Sequence, residues 1–287
     1  MPLFDRIVMV DWSAAAVPTT GRDSIWVSDG GPAPINMATR SEAMAWLCEV
    51  ARQVLRAGQR MLIGFDFAFG YPQGVAVRFG RGWRSLWSWV ASQVTDGDRN
   101  ENNRFAVAEA FNRRFPDAQG PLWGHPPGRR YADLSAGKPH RRPDGIAERR
   151  HVERLVPSAS PVWKLAYAGA VGSQSILGIA RLEHWRRDPE FADAITVWPF
   201  ETAFDQMDRR PIVLAEIYPS LFQIQAHDGE VKDAAQVRTL ASGFAALDRV
   251  DRLRPHLSGP GAGKARDAAL VEEGWIMGVS DRPLALA

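Results

Sequence analysis

Two apolar runs, Ile7-Val8-Met9-Val10 and Met61-Leu62-Ile63-Gly64-Phe65, each end on an aspartate, Asp11 and Asp66. A continuous apolar run rich in Val, Ile or Phe and closed by small or turn-forming residues predicts a strand buried on both faces. A third such run, Ile212-Val213-Leu214-Ala215, ends on Glu216 and is closed by Ile217-Tyr218-Pro219. Between the first two lie a short run at Ser24 to Ser28, a weaker one at Ile35 to Ala38, and a helical stripe from Ser41 to about Ala57. In that stripe Met44, Leu47, Cys48, Ala51, Val54 and Leu55 share one face, with Gly58 as the stop. The order is β, β, β, α, β, and a helix leading into a buried strand predicts that the fourth strand runs parallel to one already in the sheet.

From about Tyr71 to Ser160 glycines, prolines and arginines interrupt the periodicity, and only Asn102 to Phe115 keeps helical spacing. The expected organisation is one domain over residues 1–287, with a core of about 1–75 and 200–287 and an insertion of about 76–199. The insertion carries Arg129-Arg130, Lys138, His140-Arg141-Arg142, Arg149-Arg150-His151 and Arg154, a basic stretch with the composition of a solvated loop or of a phosphate-facing arm. Beyond it, Asp233 to Leu247 and Lys264 to Met277 read as helices, the second with Asp267 in its first turn.

Composition narrows the classes. Hydrophobic residues make up 45% of the 287, enough for a real core, and a formal charge of +2 is too small to indicate a nucleic-acid partner without the local clustering. One cysteine, Cys48, excludes an intramolecular disulfide and a cysteine-based zinc cluster. No apolar run approaches the roughly 18 residues that span a bilayer, so a cytoplasmic protein without membrane contact is expected. Many of the 11 tryptophans fall in the insertion, where they can support irregular chain or line a groove.

An ionised carboxylate at the end of an apolar strand needs a partner, because burying it alone costs several kcal/mol. A single aspartate there serves most simply as a turn former or helix cap. Asp11, Asp66, Glu216 and Asp267 taken together suggest instead a carboxylate cluster holding a hard cation, Mg²⁺ or Mn²⁺, since no histidine or cysteine stands at ligand spacing. Two such ions about 4 Å apart can activate water and stabilise the leaving oxygen of a phosphodiester. Asp11 would bridge them, Asp66 and Glu216 would each hold one, and Asp267 would complete the second. Ser13, Lys164, Ser173, Gln174, Arg129, Arg130, Arg141 and Arg142 are the candidate substrate contacts, with nucleic acid expected along residues 129–154.

The motifs Val10-Asp11-Trp12-Ser13, Gly64-Phe65-Asp66-Phe67-Ala68-Phe69-Gly70, Ala215-Glu216-Ile217-Tyr218-Pro219 and Asp267-Ala268-Ala269 resemble those of the ribonuclease H-like superfamily. More narrowly, they are similar to a bacterial family of unknown function described as predicted ribonuclease H-like nucleases. The likeness spans nearly the whole chain through short motifs, and aromatics replace the family's Pro-Gly turn after Asp66. It implies an α/β fold with a mixed five-stranded sheet, helices on both faces and a long insertion after the fourth strand, and a metal-dependent nuclease. An ATP-binding phosphotransferase of the same fold, with residues Gly169 to Gln174 cradling nucleotide, and a non-catalytic binding protein are the alternatives.

Overall fold

The computed structural model describes residues 2–116, 119–140, 143, 145–207 and 210–280. Six strands form one mixed sheet: β1 (Arg6–Asp11), β2 (Ile25–Ser28), β3 (Ile35–Met37), β4 (Met61–Phe65), β5 (Ile195–Val197) and β6 (Ile212–Glu216). Their spatial order is β3-β2-β1-β4-β6-β5. The first three pair antiparallel as a meander, while β4, β6 and β5 run parallel to β1. The expected five strands are thus six. The extra one, Ile195-Thr196-Val197, is a three-residue run at the end of the insertion that pairs on the outer edge of β6 and is too short to stand out as a periodic signal.

Side chains alternate across this sheet and split the interior in two. Val8, Val10, Ile63, Phe65 and Leu214 point into one core, and Ile7, Met9, Leu62, Val213 and Ala215 into the other. The first core is covered by α1 (Arg40–Arg56), α2 (Gly82–Gln93), α3 (Arg104–Asn112) and, beyond the short α4 (His151–Leu155), by α5 (Gly172–Arg187). The second is covered by α6 (Lys232–Arg249), through Val237, Leu240, Ala241 and Phe244. Helices of the insertion therefore build the same core as the sheet. The helix α2 escapes sequence reading because tryptophans and glycines blur its stripe of Trp83, Leu86, Trp87 and Val90.

Boundaries move for local reasons. The cap of α1 is Thr39, not Ser41: the Thr39 hydroxyl accepts the Glu42 N–H at 3.1 Å, while the Glu42 carboxylate accepts the Ala38 N–H. The final helix begins at Lys264 as α7 (Lys264–Ala268), widens into a π-turn over Ala269–Glu273 and stops at Gly274, φ 67°. The chain then runs extended beside β6, with Met277 N–H donating to the Glu216 carbonyl. Gly70 makes that approach possible, since a Cβ there would lie 2.2 Å from the Glu272 carbonyl oxygen. No described helix is long and apolar enough to cross a membrane.

Candidate active site

The carboxyl ends of β1, β4 and β6 lie side by side, the usual place for a site on an open sheet with parallel strands. Val10 pairs with Phe65, so Asp11 and Asp66 follow at the same level on neighbouring strands. One Asp66 oxygen accepts the Trp12 N–H at 2.7 Å. The loop after β1 is held by Arg40, a fully buried residue of α1 whose guanidinium donates to the carbonyls of Ser13 and Ala15 and pairs with Asp96 at 2.6 Å.

Burial pushes the Asp11 carboxyl well above the usual range, and the negative charges of Asp66, Asp233 and Asp23 push it further. Lys232 offsets this only in part. Burial likewise raises Asp66 to about 7, against the opposing effect of the Trp12 N–H. Burial and repulsion thus raise both carboxyls together. Asp233, in the first turn of α6, is the third acid of the group, and one of its oxygens accepts the Asp23 N–H at 2.9 Å. Sequence reading saw Asp233 only as a helix start. An acid in the first turn of a helix usually complements the helix dipole, and only the packing of α6 across β1 and β2 brings it to Asp11.

Glu216 corrects the expectation. It lies level with Phe65, one position short of Asp66, and lines the same cleft as Asp66 while facing Arg150. There both oxygens are taken by Arg150, Nη2 to Oε1 at 2.6 Å and Nη1 to Oε2 at 2.8 Å, and Oε2 also accepts the Phe69 N–H. Arg150 is 1% exposed and donates further through Nε to Glu153 and through Nη1 to the Glu273 carbonyl. A residue of the supposed phosphate-facing arm is therefore the buried counter-ion of a supposed metal ligand. Asp267 is exposed on α7 and is absent from the charges acting on Asp11 and Asp66. Among the described residues, no three acids, histidines or cysteines are placed to hold one metal ion.

The candidate substrate contacts divide. The buried Ser13 hydroxyl donates to the Asp23 carbonyl and that of Ser173 to the Leu165 carbonyl, so both fasten loops. Gly172 packs so closely that a Cβ would lie 2.3 Å from the Val162 carbonyl oxygen, so this glycine lets the start of α5 meet the preceding loop. Gln174 donates from its amide to the Trp12 carbonyl and borders a cleft beside Asp66. Lys164 is tied to the Ala168 carbonyl and stands 5.7 Å from the centre of the Trp123 ring. Arg129 and Arg130 are exposed, and Arg141 and Arg142 lie outside the described residues.

A cation that sequence reading passed over is Arg104. Its guanidinium lies 4.5 Å from the centre of the Phe105 ring, donates to Asn102, and has no carboxylate partner among the described residues. Burial, Arg40 and Arg129 lower it to about 10. Comparison of the chain with protein-family models, with curated proteins and with solved structures finds no match.

Proposed function

We propose that the protein is a divalent-metal-dependent phosphodiesterase acting on nucleic acid, with Asp11 and Asp66 as its ion-holding carboxylates. The observation carrying this reading is the pair itself: two buried acids level with one another at adjacent strand ends, whose mutual repulsion Lys232 offsets only in part. The donor set fits Mg²⁺ or Mn²⁺, which take oxygen ligands and commonly bind through one or two protein carboxylates, completing their shell with water and substrate phosphate. A bound ion would activate water and neutralise charge on the leaving oxygen. Glu216 and Asp267 have no part in this; Asp233 takes the supporting place, and one ion replaces the expected two.

The remaining work falls to the chain. The Trp12 N–H fixes the Asp66 carboxylate, and Arg40 fixes the loop from which that N–H comes. Arg104 and Arg129, neighbouring cations, supply positive charge for flanking phosphates. The test is hydrolysis of single-stranded and duplex DNA and RNA with and without Mn²⁺. Asp11→Asn and Asp66→Asn are each expected to lower turnover about 10³-fold or more, about 4 kcal/mol, with unchanged circular dichroism. Wild-type turnover in both variants would overturn the reading.

A further inference from the structure

A cleft of ≈ 190 Å³ opens beside Asp66, between α6, the start of α5 and the chain after β6. Its charged lining is one-sided: Asp66, Glu153 and Glu216 against Arg150 alone. Every nitrogen of that guanidinium already donates, to Glu153, Glu216 or the Glu273 carbonyl. The cleft therefore offers no free cation to a phosphate, and its carboxylates disfavour one.

What it offers is an amide. Gln236 is 7% exposed and lines the cleft, yet its side chain has no hydrogen bond to any described residue. The residue is largely covered but its amide opens into the cleft, so its donor and acceptor are free to bond to an occupant there. Gln236 stands three residues after Asp233 on α6, a spacing that places the two on one face of the helix. Across the cleft, Gln174 has its amide nitrogen committed to the Trp12 carbonyl, which leaves its side-chain oxygen as an acceptor. Tyr218, Pro219, Ile217 and Ile276 supply apolar wall.

We propose that this cleft binds a nucleobase and that Gln236 reads its hydrogen-bonding edge. The occupant that fits is uncharged, flat, and equipped with adjacent donors and acceptors. A side-chain amide is the natural complement of such an edge, since its N–H and carbonyl can bind one base together. The placement of the base next to the phosphate-processing pair rests on the reading of Asp11 and Asp66 given above, and makes Gln236 a specificity residue of that site.

The test uses the full-length, metal-free protein in chelator and the four nucleosides adenosine, guanosine, cytidine and uridine, which carry no phosphate. Saturable binding of at least one, followed by ligand-observed NMR, is expected, with inorganic phosphate failing to compete. Gln236→Leu is expected to weaken that binding tenfold or more. Gln236→Glu, which keeps the shape and removes the donor, is expected to change the order of preference among the nucleosides and provides a second variant if the first does not fold. Absence of binding by all four nucleosides, wild-type affinity in folded Gln236→Leu, or competition by phosphate would each overturn the proposal. Because no metal and no cleavage enter the measurement, nucleoside binding without hydrolysis would remove the nuclease reading alone, and hydrolysis without nucleoside binding would remove this subsite alone.

Discussion

Two groups of charge sit at the same edge of one sheet and resolve their burial in opposite ways. Around Glu216 the protein supplies its own counter-ion: Arg150 is enclosed by Glu216, Glu153 and a carbonyl, and the attraction holds its charge more firmly than in water. Around Asp11 no guanidinium among the described residues arrives; Asp66, Asp233 and Asp23 add repulsion to burial, and Lys232 offsets it only in part. The first arrangement is complete without a ligand and serves the fold. The second is left unbalanced, and that imbalance is what a cation can relieve. Electrostatic frustration, more than the mere presence of acids, separates the candidate site from the structural network beside it.

The comparison breaks most visibly at Arg150. Arg150→Ala leaves two buried carboxylates without their counter-ion and is expected to destabilise the protein by about 3–5 kcal/mol, read as a lowered denaturant midpoint. A wild-type midpoint would mean that the network is solvated and its completeness illusory.

The acid pair makes a contribution of the opposite sign, which depends on pH. Between the ordinary carboxylate range near 4 and about 7, folded Asp66 keeps a proton that the unfolded chain has released. Its contribution to stability is therefore greatest at acid pH and is lost as pH rises through that window, by up to about 1.4 kcal/mol per pH unit for one proton. Asp66→Asn should flatten this part of a stability-against-pH curve. Mn²⁺, which replaces the proton, should stabilise the wild type more at pH 7.5 than at pH 5 and should lose that effect in the variant. Equal stabilisation at both pH values would place metal binding elsewhere.

The smallest effect belongs to Asp267. Exposed on its short helix, it is expected to tolerate Asp267→Ala within about 0.5 kcal/mol and without loss of hydrolysis. A large loss of Mn²⁺-dependent turnover would restore it to the site and undo the separation drawn here.

The sequence determined the strands that matter. The apolar runs before Asp11, Asp66 and Glu216 become β1, β4 and β6, because a run buried on both faces leaves its mark in every residue. The position of Asp11 and Asp66 at strand ends was legible for the same reason, as were the helices α1, α3 and α6 to within a few residues. The tertiary structure decided which acids meet. Strand register places Asp66 level with Asp11 but Glu216 one residue short, and there Arg150, brought in by the insertion, takes both of its oxygens. Arg150, 66 residues away in the chain, was indistinguishable from its basic neighbours, and Asp233 from any acid beginning a helix. Local pattern encodes whether a side chain is buried; register and helix packing, set by contacts far apart in sequence, encode what it is buried against.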